Sequence, residues 1–253
     1  MIILKKLIYV VLPVIISLLI FIYTLTIHNH VTASKQTKQS GNQPIVIIDA
    51  GHGGFDGGAV ASDGTVEKDI NLSIALYLQE YLSFFNIETI MIRDTDCSVE
   101  DDGLNTIRQK KTSDLHNRMK VMEETDNGIF VSIHQNKYSD GKYSGTQVFY
   151  SPKTKDESQV LAQTIQDYIV NTLQKDNTRQ IKECGTSVFL MYNAVKPAVL
   201  VECGFLSNPE ETARLTDPNY QKELAYAISL GISSYLSSAE RSLSTAQASF
   251  SKT

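Results

Sequence analysis

Six short, strongly apolar runs, separated by stretches with a helical pattern, constrain the fold of this 253-residue chain more than any other feature. The runs cover residues 45–50, 87–93, 129–134, 146–151, 187–191 and 198–204. Several are continuously apolar rather than alternating, which is typical of strands covered on both faces. Between them, apolar residues recur at helical spacing, as at Ile70, Ile74 and Leu78. The alternation predicts a single α/β domain whose mixed, mainly parallel sheet is flanked by helices.

Residues 1–28 form a separate segment. Leu7 to Ile27 is an uncharged, apolar stretch of 21 residues, about the length that crosses a bilayer as a helix. It is longer than the apolar core of a secretory signal peptide, roughly 7–15 residues, so we expect an N-terminal transmembrane anchor, with a cleaved signal as the alternative. Lys5 and Lys6 place the N-terminus inside, so the rest of the chain is expected on the extracytoplasmic side, or secreted if the segment is cleaved.

Composition divides the remainder of the chain. Residues 29–43 are polar without apolar periodicity and are predicted to be a linker. Residues 237–253 are rich in serine and are predicted to be disordered. The folded domain is therefore expected to span residues 44–236, which is long enough for a proper core. A net charge of −5 gives no electrostatic argument for a nucleic-acid partner.

One connection, between the second and third apolar runs, interrupts the alternation. Residues 94–105 are acidic and are predicted to be a loop, and a helix is predicted from about Ser113, whose side chain would cap it. Long loops in compact domains are usually functional or disordered. The sequence assigns no role to residues 94–112.

Polar side chains stand where three of the predicted strands end. His52 follows the run at 45–50, His134 ends the run at 129–134, and Glu202 lies near the end of the last run. In open α/β sheets, ligands bind beyond the carboxyl ends of the strands. A carboxylate inside an apolar run is costly unless it is paired or bound to metal. We therefore expect these three side chains to converge at one edge of the sheet.

These residue types favour a metal centre. A catalytic zinc site needs three protein ligands and one open position, and His52 and His134 would supply two of the ligands. Glu67 is the favoured third ligand, because it follows the glycine-rich loop and precedes the helix that begins near Ile70. The competing carboxylates are Asp56, Asp63 and Asp69, of which Asp69 is better explained as a helix cap or first-turn residue. Asp49 is a candidate to orient a histidine from behind.

A zinc site with a further glutamate that does not ligate the metal indicates a hydrolase of the peptidase type. Glu202 would act as general base and then as proton donor to the leaving amine. No HExxH sequence is present, which excludes a thermolysin-like helix site. The glycine-rich GHGGFDGG at residues 51–58 suggests a phosphate cradle at first sight, but it matches neither GxGxxG nor GxxxxGKS/T. Three widely spaced cysteines form neither a disulfide framework nor a thiolate zinc site.

Four blocks, DAGHGG, EKDINL, SIHQN and VECGFLSN, carry a resemblance to a known family. In this order they resemble the signature blocks of the zinc-dependent N-acetylmuramoyl-L-alanine amidases of the Amidase_3 type, over about residues 45–236. The resemblance implies a six-stranded α/β domain with one Zn²⁺ ligated by His52, Glu67 and His134, and Glu202 as the catalytic glutamate. It also implies hydrolysis of the amide between muramic acid and the first L-alanine of the peptidoglycan stem peptide.

The lone catalytic domain behind an N-terminal span is similar to the germination-specific members of this family. That likeness implies stem-peptide removal in the spore cortex for muramic-δ-lactam formation. One alternative is a vegetative autolysin with the same chemistry. Another is a zinc carboxypeptidase-like exopeptidase, with Arg93 or Arg118 holding a terminal carboxylate, and a third is a non-catalytic wall-binding protein. The sequence carries no recognisable wall-binding repeat, so we expect the anchor or a protein partner to deliver the domain.

Overall fold

The computed structural model describes residues 44–250 of the chain. The predicted anchor at residues 1–28 and the predicted linker at residues 29–43 lie outside the described residues. Within residues 44–250, we find no helix with the length and apolar character needed to cross a membrane.

Strands and helices alternate along the described chain. In order they are β1 (Ile45–Ala50), α1 (Glu67–Phe84), β2 (Thr89–Met91), α2 (Ile107–Glu124), β3 (Gly128–Asn136), β4 (Gln147–Tyr150), α3 (Lys155–Thr172), β5 (Lys182–Glu183), α4 (Phe189–Asn193), β6 (Ala198–Phe205), α5 (Pro209–Leu215) and α6 (Pro218–Phe250). The strands form one six-stranded sheet in the order β2-β1-β3-β6-β4-β5. β2, β1, β3 and β6 are parallel, while β4 runs antiparallel to β6 and parallel to β5. The predicted α/β domain with a mixed, mainly parallel sheet is confirmed.

Helices cover both faces of the sheet, which explains why the central strands are continuously apolar. On β1, Val46 and Ile48 belong to the larger core cluster, which α1, α3 and α6 complete. Ile47, which points to the other face, belongs to a smaller cluster with Met119 and Met122 of α2 and residues of α4. The carboxyl ends of β1, β3 and β6 meet at one edge between these layers, and this edge carries the candidate site.

The predicted strand at residues 187–191 is wrong. Most of this segment belongs to the short helix α4, in which the adjacent residues Leu190 and Met191 are both buried, and the C-cap residue Ala194 is buried one turn after Leu190. Periodicity cannot separate a short buried helix from a strand in so brief an apolar run. The strand that completes the six-stranded sheet in its place is β5, whose two residues are charged and exposed and therefore give no apolar signal in the sequence.

The predicted start of the second helix is also wrong, because α2 begins at Ile107 rather than near Ser113. Thr106 caps it: the backbone N–H of Gln109 donates to the Thr106 hydroxyl, and the Gln109 side chain accepts from the Thr106 backbone N–H, both at 3.2 Å. This reciprocal capping box satisfies two backbone donors at the helix start. The Ser113 hydroxyl donates to Asp101 at 2.7 Å, which ties the acidic loop to the helix.

Helix α6 extends to Phe250, into the segment 237–253 for which disorder is predicted. The segment contains neither glycine nor proline and is supplied with alanine, leucine, glutamine and arginine, which are good helix formers. Serine lowers helix propensity only slightly, which is compatible with helix over this segment. Residues 251–253 lie outside the described residues.

Candidate active site

The three predicted metal ligands lie together at the carboxyl edge of the sheet. His52 follows β1, His134 is in β3, and Glu67 is the first residue of α1. One ligand atom from each lies within 4.8 Å of the other two. Nδ1 of His134 is 3.0 Å from one carboxylate oxygen of Glu67, and Nε2 of His52 is 3.3 Å from the other. The geometry therefore provides one carboxylate between two imidazole rings.

Two glycines let the backbone approach this cluster. A Cβ at Gly51 would lie 2.3 Å from the His134 ring, which no side chain could tolerate. Gly58 has a φ of +72°, and a Cβ there would lie 2.6 Å from Oε2 of Glu67. The glycine-rich loop thus keeps side chains out of the space that the ligand atoms share.

Two buried arginines hold the loop in place. Arg93 donates to the carbonyls of Ala50 at 2.7 Å and Gly51 at 3.0 Å, and Arg118 donates to the carbonyl of His52 at 2.7 Å. The Arg118 contact helps to hold His52 at its left-handed φ of +62°. Each arginine is 2% exposed, so neither is available to hold a substrate carboxylate.

Asp49 does not orient a histidine, contrary to the sequence-based expectation. Its carboxylate pairs with Arg118 and accepts a hydrogen bond from the Ser132 hydroxyl at 2.6 Å. Neighbouring residues of a strand point to opposite faces, so Asp49 points away from the face of Ile48 and toward the face on which Arg118 of α2 lies. Its connection to the site is therefore indirect, through an arginine that binds the backbone of His52.

Asp56, weighed above as a ligand, lies behind His52 instead. Its Oδ2 is 2.9 Å from Nδ1 of His52, and its Oδ1 is 2.9 Å from Nζ of Lys111. In a neutral His52 with its proton on Nδ1, toward Asp56, the Nε2 atom on the Glu67 side would be free to ligate a metal ion. Of the other competitors, Asp63 accepts the Thr65 N–H in an exposed turn, and Asp69 is in the first turn of α1, as predicted.

A buried amide network fixes Glu67. Its Oε2 accepts the backbone N–H of Ala59 at 2.8 Å, and its Oε1 accepts that of Gln135 at 3.0 Å. The Asn71 side chain donates to Oε1 at 3.3 Å and to the Gly51 carbonyl at 3.1 Å, and it accepts from Nε2 of Gln135 at 3.1 Å. The sequence analysis missed Asn71 and Gln135, although one turn of helix separates Asn71 from Glu67, a spacing that brings side chains together.

The electrostatics of the cluster favour a cation. Burial alone would lower the pKa of His52, but hydrogen bonds to Asp56 and Glu67 outweigh it and raise the pKa to about 9. Burial would raise the pKa of Glu67, yet the hydrogen bonds from His134 and His52 hold that pKa well below its usual range. Positive charge is therefore strongly favoured between these groups. A divalent metal ion with nitrogen and oxygen ligands fits this donor set.

Glu202 lies next to this cluster. It is paired in register with His134 on the neighbouring strand, so the two side chains lie on the same face of the sheet. The residue is partly exposed, but its Oε2 is buried and accepts no hydrogen bond from the residues that the structure describes. Burial raises the pKa of Glu202 to about 7. A carboxylate with that pKa is suited to take up and return a proton near neutral pH.

Comparison with known proteins identifies the family. The Amidase_3 family, described as N-acetylmuramoyl-L-alanine amidase, matches residues 46–234. The chain belongs to this family. This amidase is 37% identical over 191 residues to the germination-specific N-acetylmuramoyl-L-alanine amidase of Bacillus subtilis (strain 168), covering 76% of this chain and 79% of that protein.

Solved structures agree with this assignment. The CwlD amidase from Clostridioides difficile, solved in complex with the GerS lipoprotein, is 40% identical to the amidase, with a TM-score of 0.74 over 78% of this chain and 99% of that one. The catalytic domain of CwlV from Bacillus (Paenibacillus) polymyxa is 32% identical, with a TM-score of 0.65 over 77% of this chain and 98% of that one. The resemblance found in the sequence is confirmed, and peptidoglycan is the substrate class that the family implies.

Proposed function

We propose that this amidase uses a zinc ion ligated by His52, Glu67 and His134 to hydrolyse the amide between N-acetylmuramic acid and L-alanine. The observation that carries the proposal is the convergence of three ligand atoms within 4.8 Å beside a buried carboxylate oxygen without a partner among the described residues. Zinc in such a site acts as a Lewis acid and brings the pKa of water close to 7.

The chain's own residues then have distinct tasks. Glu202 takes a proton from the attacking water as its oxygen bonds to the lactyl carbonyl carbon. When the C–N bond breaks, the same carboxyl returns the proton to the nitrogen of L-alanine, so that an acid and a free amine leave. Asp56 keeps the His52 ring in one orientation and one tautomer.

Digestion of peptidoglycan tests the proposal directly. The zinc-loaded full-length chain in detergent should release peptides that begin with a free L-alanine, as seen by mass spectrometry of the digest. Glu202→Gln should bind as much zinc as the wild type and lose about 10²- to 10⁴-fold in turnover, the usual contribution of a positioned acid–base group. Near wild-type turnover in this variant would refute the role of Glu202.

We propose in addition that the amidase acts on the spore cortex, where it removes stem peptides for muramic-δ-lactam formation. Its support is the likeness to the germination-specific enzyme of Bacillus subtilis. Spores that lack this chain should contain little muramic-δ-lactam. Normal lactam content together with altered vegetative wall would favour an autolysin instead.

We also propose that residues 1–28 anchor the domain on the extracytoplasmic side of the membrane. The apolar length of residues 7–27 supports this. A protein partner for delivery or activation is proposed because the CwlD amidase was solved in complex with a lipoprotein. Deletion of residues 1–28 should move the protein from the membrane fraction to the soluble fraction. Arg93 and Arg118, the residues expected to hold a terminal carboxylate in an exopeptidase, are buried and do not support that role.

A further inference from the structure

A basic pocket of about 430 Å³ opens between the loop before β4 and the segment after α3. Four cations and two carboxylates line it: Lys142, Lys175, Arg179, Arg214, Asp176 and Glu211. One of the carboxylates is already satisfied, because Oε2 of Glu211 accepts backbone N–H groups from Gly145 at 3.0 Å and Phe205 at 2.9 Å. Lys142 is paired with Asp140 at 2.8 Å, so the cations that the basic pocket presents are Lys175, Arg179 and Arg214, one more than its two carboxylates.

Arg179 is the best-positioned cation of the basic pocket. Its guanidinium lies 4.4 Å from the centre of the Phe205 ring, and Nε donates to the Ser144 carbonyl at 2.7 Å. Nη1 donates to the Gln147 side chain at 3.3 Å. A guanidinium has five N–H donors, so these two bonds leave most of them available. Within residues 44–250, no carboxylate lies within 4 Å of Arg179.

Arg179 is also close to the catalytic glutamate. Gln147, which accepts its hydrogen bond, is the Cα partner of Glu202 across the β4–β6 pair. Paired antiparallel residues lie about 5 Å apart, so only one side chain separates the guanidinium from Glu202. Phe205, on which Arg179 stacks, is three residues beyond Glu202 on β6. A substrate whose reacting amide lies at Glu202 can therefore extend to Arg179.

We propose that Arg179, assisted by the other cations of the basic pocket, binds a carboxylate of the substrate's peptide while the amide lies beside Glu202. The identity of this substrate rests on the proposed function. An arginine fixed by stacking suits a carboxylate, which it can bind through two parallel hydrogen bonds. Arg93 and Arg118, the cations that the sequence offered for such a task, donate instead to backbone carbonyls and to carboxylates of the fold.

Binding to an inactive protein tests this subsite. The full-length Glu202→Gln chain, loaded with zinc, is titrated calorimetrically with N-acetylmuramoyl-L-alanyl-D-glutamate and with the same compound carrying both glutamate carboxylates as carboxamides. The acid should bind about tenfold more tightly, equivalent to about 1.4 kcal/mol. Adding Arg179→Gln should remove this preference, and Arg179→Lys should restore part of it because the charge returns without the planar fork. Lys120→Gln, a change of an exposed lysine on α2, is the matched control and should leave the preference intact.

The carboxamide separates recognition from structural damage, because a distorted pocket would weaken both compounds equally. If Arg179→Gln does not fold by circular dichroism, the paired change Lys175→Gln with Arg214→Gln should still reduce the acid preference at least twofold. Equal binding of acid and carboxamide to the chain that retains Arg179, or a preference unchanged by these variants, overturns the subsite. Wild-type protein that binds the acid but hydrolyses nothing would overturn the proposed function and leave the subsite standing.

Discussion

Asn71 offers a sharp test of how the metal centre is built. This side chain is fully buried on α1 and contacts three groups: the Gly51 carbonyl, Oε1 of Glu67 and Nε2 of Gln135. In Asn71→Ala, Gly51 keeps its bond from Arg93, and Glu67 keeps the backbone N–H of Gln135. The Gln135 amide nitrogen loses its acceptor at 3.1 Å, the Asn71 side-chain oxygen. We expect its loss to dominate the cost.

The magnitude follows from these contacts. A buried polar group left without a partner costs about 1–3 kcal/mol, and the cavity adds to that, so Asn71→Ala should lower the free energy of unfolding by about 2–4 kcal/mol. Because partners of metal ligands contribute about 10- to 100-fold to metal affinity, zinc binding should weaken by that factor. Urea denaturation of the zinc-free protein measures the first effect, and competition with a chromogenic chelator measures the second.

A matched variant and a double mutant make the test decisive. Asn117→Ala on α2 also removes two side-chain hydrogen bonds, to Val99 and Asp101, but touches no ligand, so it should cost stability and leave zinc affinity unchanged. Asn71→Ala combined with Gln135→Leu should cost less than the sum of the single changes, because the stranded amide is then absent. Zinc affinity within twofold of wild type in Asn71→Ala, or strictly additive stability losses, would refute the proposed network.

Three further predictions concern the same region. Asp56→Asn should weaken zinc binding about 10- to 100-fold by calorimetry, because Asp56 contacts the His52 ring. Asp63→Asn in the same loop should leave zinc binding unchanged, because Asp63 accepts only the Thr65 N–H in an exposed turn. Turnover on peptidoglycan should fall as the pH drops through about 7 or somewhat below, because Glu202 must be unprotonated to act as a base. The positive charge of a nearby zinc ion would lower the pKa of Glu202 from that value. A flat profile of turnover from pH 5 to 8 would contradict this prediction. Thr106→Ala should lower the free energy of unfolding by about 1 kcal/mol in urea, with zinc affinity unchanged, because Thr106 and Gln109 bond to each other and to no ligand.

The sequence predicts correctly those site residues whose positions are fixed by the sheet. His52, His134 and Glu202 stand at ends of apolar runs, and parallel strands bring such ends to one edge whatever the rest of the chain does. Glu67 was harder to select, because a loop of glycines sets no spacing. Its choice over Asp56 depended on the helix that follows, and the structure brings Glu67 into the cluster.

Other features depend on contacts that no local pattern reports. Nothing in the sequence marks Arg179 as near the site, since its partners Ser144 and Gln147 are 35 and 32 residues away in the chain. Asn71 differs, because it lies one helical turn after Glu67, a spacing that the sequence shows. β5 is two exposed residues long, so it has no apolar signature. The start of α2 was different, because the Thr106–Gln109 pair is a local signal that the sequence analysis overlooked.

The reversed direction of β4 has a consequence for how this fold can diversify. In a wholly parallel sheet, every strand would begin at the edge away from the chemistry. Because β4 begins at the catalytic edge, the connection between β3 and β4 stays on the working side of the molecule. Residues can be inserted or deleted there without shifting the register that pairs His134 with Glu202. The residues of this connection that line the basic pocket therefore lie outside the paired strands that hold His134 and Glu202.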